Sequence, residues 1–260
     1  MPVETEIARK ATPEEEELVS KQRELALLLG ELAERELSLA SLKAALAAFE
    51  GQYLREVGVL YAELDEWNAK IAELIATLDG SCEAQAAASK ARQQSQETYA
   101  AAHGEASNAA EFMPSPELKK LFKEVAKAVH PDRASGQDDR ILRERLMKEA
   151  TAAFSRGDAA ALEEILEEYR SSLESVAGLG VAEKLQRIAL EGMRVRKRLS
   201  QIDLEIAELA ASPMAKLIAK KEHLRSQSRN LLPELAADVR RRIDLARHRY
   251  DTLAESRPTR

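Results

Sequence analysis

The residues of this sequence that could most readily do chemistry are the consecutive His130, Pro131 and Asp132. An imidazole beside a carboxylate can act as a general base, or it can bind a polar partner. Base catalysis also requires a nucleophile and a third group that orients the base, and the tripeptide has neither beside it. It is therefore predicted to bind rather than to catalyse. Every other histidine stands alone in a polar context and is expected at the surface: His103, His223 and His248.

Other kinds of reactive site are not found in the sequence. It contains no glycine-rich phosphate loop, no pair of catalytic carboxylates and no cluster with metal-ligand spacing. Cys82 is the only cysteine, which excludes an intramolecular disulfide and a zinc site built on cysteines. We therefore expect a protein that is not an enzyme and that carries no metal or cofactor.

The residues before the tripeptide predict a short amphipathic helix that presents it at its tip. Ser115 is a favourable N-cap, and Pro116 suits the first helical position. Pro131 lacks an N–H and biases the residue before it away from helical angles, so the helix should end there. Spacings of three and four place the apolar and basic residues on separate faces. These faces are Leu118, Leu121, Phe122, Val125 and Val129, and Lys119, Lys123 and Lys127.

This helix and its tripeptide resemble the second helix and the His-Pro-Asp loop of the J domain of DnaJ-type co-chaperones. The family pattern before the loop, Leu-Lys-Lys-x-aromatic-x-x-Leu-Ala, is approximated by Leu118, Lys119, Lys120, Phe122, Val125 and Ala126. The residues that follow are similar to the third helix of that domain, with Thr151 where asparagine is usual: Met147, Lys148, Glu149, Ala153 and Phe154.

The resemblance implies a DnaK-type chaperone as partner, because in the J-domain family the loop and basic helix bind its ATPase part and accelerate ATP hydrolysis. The implied partner-binding residues are His130, Pro131, Asp132, Lys119, Lys120, Lys123, Lys127 and Arg133. The usual first J-domain helix has no counterpart before Pro114, so another helix should cover the motif helix. The candidates are the flanking arms and residues 159–173, and we favour an arm. The alternative is a coiled-coil structural or adaptor protein whose J-like segment has lost its partner.

Long helices are predicted on both sides of this segment. Charged residues make up 32% of the chain and aromatic residues 4%, a composition typical of coiled coils. Apolar residues recur at spacings of three and four over residues 25–78 and again over 181–209. The pattern slips by one residue between Tyr53 and Val57, which predicts a local irregularity in the helix.

Capping and helix-breaking residues predict where these helices begin and end. The run Thr12–Glu15 has the residues of a capping box. Asp79–Ser81 should end one helix and begin another that folds back on it. Ser212 and Pro213 repeat the N-cap and first-residue pattern, and Pro233 should kink or split the helix that follows.

We therefore predict an all-α fold in which a small J-like helical domain is flanked by long coiled-coil helical hairpins. The predicted segments are a disordered N-terminus at 1–12, an N-terminal coiled-coil arm at 13–103, a linker at 104–114, the J-like domain at 115–176 and a C-terminal helical hairpin at 181–255.

The uneven charge of the chain suggests how the arms are used. Residues 1–110 hold 10 basic and 20 acidic residues, whereas residues 181–260 hold 18 and 11. The arms could pair with each other, or the basic arm could bind an acidic partner. Client proteins and a homo-oligomer formed through the coiled coils are further partners left open.

The cellular setting is expected to be the cytoplasm. No apolar run reaches the length of a membrane span, and the first ten residues lack a secretory pattern. A nucleic-acid partner is not expected, because aromatic residues are scarce in the basic arm and acidic residues interrupt its charge.

Overall fold

The computed structural model describes residues 12–104, 112–172 and 180–256, which are helical apart from short connections and contain no strand. The predicted all-α class is therefore confirmed. Three predicted segments fall partly outside the described residues: the disordered N-terminus at 1–11, the linker at 105–111 and the end of the J-like domain at 173–176. The helices are α1 Pro13–Tyr53, α2 Val59–Asp79, α3 Cys82–His103, α4 Pro116–Val129, α5 Gln137–Arg156, α6 Ala159–Ser172, α7 Val181–Ala211, α8 Pro213–Ser226 and α9 Leu231–Glu255.

The helix ends follow the predicted capping residues. Thr12 N donates to Glu15 Oε2 at 2.8 Å, and Glu15 N donates to Thr12 Oγ1 at 3.3 Å, which is a reciprocal capping box. Gly80 ends α2 in the left-handed conformation with φ of 69°. The predicted N-cap hydroxyls each accept a backbone N–H of the first turn: Ser81, Ser115 and Ser212.

The slip predicted between Tyr53 and Val57 takes the form of one π-helical turn, Leu54–Gly58, that joins α1 to α2. Each hydrogen bond of a π turn spans one residue more than in an α-helix, so the turn absorbs one extra residue. The predicted irregularity is confirmed. Its effect is to keep the apolar residues before and after it in one core, which includes Phe49 and Leu64.

Pro233 acts by splitting the last predicted helix rather than by bending it. The helix α8 ends at Ser226, Ser228 has a positive φ of 58°, and α9 begins at Leu231. Pro233 then lies in the first turn of α9, where a backbone N–H has no partner within the helix. The split is one of the two outcomes predicted for this proline.

Two compact units make up the molecule, and each combines segments that are distant in sequence. The first unit comprises Met1–Lys43 and Met113–Leu209, and the second comprises Ala44–Phe112 and Ala210–Arg260. The tripeptide belongs to the first unit, together with the beginning of α1, the helices α4 to α6 and most of α7.

The core of the first unit has two parts. Helices α4, α5 and α6 bury the aromatic rings of Phe122 and Phe154, whose centroids are 4.7 Å apart, and Leu162 of α6 is fully buried. The second part joins α1 to α7 through Leu32, Leu39, Val195 and Ile202. Ion pairs advance in the same direction along both helices, so α1 and α7 are parallel: Glu24 with Arg196, Arg35 with Asp203 and Lys43 with Glu205.

In the second unit, α3 folds back on α2, as the Asp79–Ser81 signal predicts. Arg92 of α3 pairs with Glu66 at 2.6 Å and with Glu73 at 2.8 Å. The α9 helix packs on the same α2, with Tyr250 edge-on to Trp67 at 5.7 Å between ring centroids. Segments of the acidic and basic arms therefore pack together in both units, which is one of the two arrangements that the uneven charge suggested.

Candidate partner-binding site

The tripeptide lies at the end of α4, as predicted. His130 leaves the helix with an extended backbone (φ −60°, ψ 129°), and Pro131–Arg133 form a single 3-10 turn. The amide of Arg133 donates to the carbonyl of His130 at 3.1 Å, and the amide of Ala134 donates to that of Pro131 at 3.1 Å. The proline therefore ends α4 and starts a tight, hydrogen-bonded turn.

The imidazole of His130 is buried rather than presented at the tip, with a relative exposure of 1%. Its Nδ1 accepts a hydrogen bond from the Asp132 amide at 3.2 Å, and its Nε2 lies 3.3 Å from Glu36 Oε1 on α1. The tautomer with the proton on Nε2 satisfies both contacts. The expectation of an exposed imidazole is therefore wrong, because α1 supplies a buried acceptor that sequence analysis did not place.

Glu36 belongs to a chain of charges that links α1 to α7. Arg198 Nε donates to Glu36 Oε1 at 2.8 Å, and Arg198 Nη1 lies 2.8 Å from Glu205, which Lys43 also contacts at 3.1 Å. Burial raises the pKa of Glu36, but the hydrogen bonds from His130 and Arg198 outweigh it and hold that pKa below its ordinary value. The buried carboxylate is therefore ionised at neutral pH and neutralised by Arg198.

The other residues of the turn remain partly accessible. The side chain of Asp132 is 27% exposed, and its Oδ2 is 3.7 Å from His130 Nδ1. Pro131 is half-buried. Arg133 pairs with Glu191 of α7 at 3.1 Å and also donates to the carbonyl of Lys127. The side chain of Arg133 is the more exposed of the two, at 34%, but its guanidinium is paired with Glu191, which leaves the Asp132 carboxylate as the charge more available to a partner.

The predicted basic stripe is divided between solvent and α1. Lys119, Lys120 and Lys127 are exposed on α4. Lys123 is half-buried, and its Nζ lies 2.7 Å from Glu34 Oε1. The stripe thus offers exposed lysines near both ends of α4, while its central member is paired within the first unit.

Arg143 organises the turn, and sequence analysis missed it. Its Nη1 donates to the carbonyl of Ala128 at 2.8 Å and to that of His130 at 3.4 Å, so it caps the end of α4. Its Nε contacts Asp139 at 2.7 Å, and its Nη2 donates to the hydroxyl of Tyr169, over whose ring the guanidinium lies. One signal was present: Arg143 shares a face with the inward Leu146, Ala150 and Phe154.

Asp139 secures the other end of the Arg143 side chain. Burial raises the pKa of Asp139, but hydrogen bonds from Ser135 and Arg143 outweigh it and lower that pKa below its ordinary value. The carboxylate accepts the Ser135 amide at 2.8 Å, so it ties the residues after the 3-10 turn to the start of α5. The guanidinium and this carboxylate together fix the loop between α4 and α5.

The helix that packs along α4 is α6, the candidate other than the favoured arms, while α1 contacts α4 through Lys123 and His130. Leu162, Ile165, Leu166 and Tyr169 of α6 are buried, and α6 packs against both α4 and α5. Gly157, with φ of 73°, and Asp158, whose Oδ1 accepts the Ala161 amide at 3.1 Å, set the turn that brings α6 back. The α4–α6 bundle therefore has its own core.

No protein-family model matches this chain, and no curated protein or solved structure is significantly similar to it. The J-domain resemblance therefore depends on the motif residues alone. Among the described helices, none has the combination of length and apolarity that crossing a membrane requires. Within the described ranges, no group of three or more His, Cys, Asp or Glu side chains is arranged to hold a metal ion.

Proposed function

We propose that this protein is a J-domain-type co-chaperone, which binds a DnaK-type chaperone in the cytoplasm through α4 and the Pro131–Arg133 turn and accelerates its ATP hydrolysis. The observation that carries the proposal is the position of the tripeptide. It forms a tight turn at the end of a basic helix, and Arg143 of the next helix stabilises that turn by donating hydrogen bonds to the carbonyls of Ala128 and His130. Residues of the arms would then bind clients or mediate assembly.

The recognition chemistry follows from the exposed charges. Lys119, Lys120 and Lys127 would steer the protein towards an acidic surface and raise the association rate. Asp132 would accept hydrogen bonds from a cationic side chain of the partner. Pro131 limits the conformational freedom of the turn, so less entropy is lost when the turn is bound.

A structural or adaptor role is the second candidate, and a specific observation favours it. His130 and Arg133 both contact residues of the same chain, Glu36 and Glu191. Under this alternative, the contacts of His130 and Arg133 stabilise the packing of the α4–α6 bundle against α1 and α7, and no chaperone is bound.

Single-turnover ATP hydrolysis by a DnaK-type chaperone from the same cell distinguishes the two candidates. At saturating concentration the wild-type protein is expected to raise the hydrolysis rate, whereas Asp132→Asn should lose most of that effect because its side chain is no longer an anion. Asp138→Asn is the matched control, since Asp138 is an exposed aspartate at the start of α5. Equal stimulation by the wild type and Asp132→Asn would overturn the co-chaperone proposal.

The basic stripe provides an independent test. Changing Lys119 and Lys127 together to Glu should slow association with the chaperone, and wild-type binding should weaken from low to physiological salt. The control is Lys90→Glu, a charge reversal at an exposed position of the second unit. Lys148 is also exposed but is not used as a control, because it lines the same cleft as Asp132. Affinity independent of salt would contradict this electrostatic role.

A further inference from the structure

In the structure, the His130 imidazole is not available to any partner. Both ring nitrogens are occupied, one by the Asp132 amide and the other by Glu36. The ring is among the most deeply buried side chains of the described residues. A chaperone that recognises this imidazole must therefore bind a conformation in which His130 has left Glu36.

Besides the contacts of Arg143 within the bundle, helices outside the bundle contact His130 itself and the residues on either side of the tripeptide. Glu36 and Glu34 belong to α1, while Glu191 and Arg194 belong to α7; Arg194 donates to the carbonyl of Ala134 at 3.3 Å. These are polar contacts, several of them between half-exposed groups. The partly exposed pairs of Lys123 with Glu34 and of Arg133 with Glu191 contribute little each. The contact of His130 with Glu36 is buried and amounts to one hydrogen bond.

Release of the imidazole would not leave the buried Glu36 carboxylate without a charged partner. Glu36 keeps Arg198 at 2.8 Å when His130 departs, and Arg198 keeps Glu205. The helices α1 and α7 remain joined through their apolar contacts, and α4 remains packed on α5 and α6 through Phe122 and Phe154. Among the described contacts, those that join the turn to α1 and α7 are hydrogen bonds and ion pairs.

We propose that α1 and α7 mask the His130–Pro131–Asp132 tripeptide, and that the DnaK-type chaperone binds a minor, unmasked conformation in which His130 has left the Glu36–Arg198 pair. This inference rests on the proposed co-chaperone function. Masking multiplies the apparent association constant by the fraction of molecules that are unmasked, but it leaves the stimulation at saturation unchanged. The concentration that gives half-maximal stimulation therefore reports masking, and the maximum reports function.

The first measurement is the reactivity of each histidine with diethyl pyrocarbonate, read by mass spectrometry on the full chain. In the wild type His130 should react more slowly than His248, which is exposed. Glu36→Ala removes the acceptor of His130 and should speed its labelling by roughly 2–10-fold, the range that loss of one hydrogen bond sets. Glu31→Ala, at an exposed position of the same helix, should change nothing.

The second measurement is stimulation of the chaperone ATPase as a function of protein concentration. Glu36→Ala should lower the half-maximal concentration by the same factor as it speeds labelling, with the maximum unchanged. Adding Asp132→Asn should remove most of the stimulation, as it does in the otherwise wild-type protein. Glu36→Leu, which fills similar volume without an acceptor, replaces Glu36→Ala if circular dichroism shows the alanine variant to be unfolded.

The possible failures are distinguishable. If His130 of the wild type labels as fast as His248, or if Glu36→Ala frees His130 but leaves the half-maximal concentration unchanged, the masking inference is overturned while the co-chaperone function stands. If neither protein accelerates hydrolysis at any concentration although His130 labels freely in Glu36→Ala, the proposed function itself fails, and the inference fails with it.

Discussion

Replacement of Arg143 by alanine should destabilise the first unit more than any exposed charge of the same helix. The Arg143 side chain is 7% exposed and has four polar contacts, to Asp139, to Tyr169 and to the carbonyls of Ala128 and His130. Its loss removes the donor that caps the end of α4 and one hydrogen bond to the hydroxyl of the buried Tyr169.

The magnitude follows from the groups that are left behind. The half-buried Ala128 carbonyl and the hydroxyl of the buried Tyr169 each lose one donor, at about 1–3 kcal/mol each. Asp139 adds little to this cost, because it is partly exposed and keeps the Ser135 amide at 2.8 Å. The expected loss in the free energy of unfolding is therefore about 2–6 kcal/mol. Arg143→Lys should restore only part of it, because an ammonium cannot reproduce the planar fork.

The matched control is Arg145→Ala, two residues away on the same helix. Arg145 is 47% exposed and pairs with Glu149 and Glu168, so its loss should cost about 0–1 kcal/mol. The readout is hydrogen exchange of slowly exchanging α5 amides, because the single tryptophan, Trp67, lies in the second unit. A loss of 2 kcal/mol corresponds to exchange about 30-fold faster. Similar exchange in the two variants would refute the role assigned to Arg143.

Four further substitutions test the packing, the backbone conformation and the charges. Phe154→Ala should lower the free energy of unfolding by about 3–5 kcal/mol in urea denaturation, because its ring is fully buried. Gly157→Ala should lower the free energy of unfolding by about 1–2 kcal/mol, because φ there is 73°. Gly30→Ala should raise it by about 0.5–1 kcal/mol, because Gly30 lies inside α1 with open space around it. The lowered pKa of Glu36 means that the stability its charge adds is present above the ordinary value of 4.5 and is lost as pH falls through the folded value. The stability gap between the wild type and Glu36→Gln should therefore shrink below pH 4.5 and stay constant near neutrality; a gap that widens in acid would contradict this assignment.

The features that sequence analysis predicted correctly are those set by neighbouring residues. The capping box at Thr12–Glu15 and the left-handed Gly80 depend on residues within one turn of each other, so their types are informative by themselves. The π turn was also visible, since it changes a periodic pattern locally. The end of α4 at Pro131 follows from the covalent geometry of proline.

The features that were missed depend on which helices meet. Spacing shows that α1 and α7 each have an apolar face, but it does not show that they pair in parallel. The contact between His130 and Glu36 joins residues 94 positions apart. A signal was nevertheless present, because Glu36 lies at the seam spacing between Leu32 and Leu39 and interrupts an apolar series. A charged residue at such a position often specifies what the helix must pair with.

The π turn at Leu54–Gly58 has a consequence for how the length of this chain can vary. Deleting the exposed Glu56 would convert the turn into an ordinary α-helical one and leave every later residue at its present angle around the helix axis. Deleting Asn68 instead would rotate all later residues of α2 by about 100° and carry Ile71 out of the core. Single-residue deletions in α1 and α2 should therefore be tolerated at this turn and selected against on either side of it.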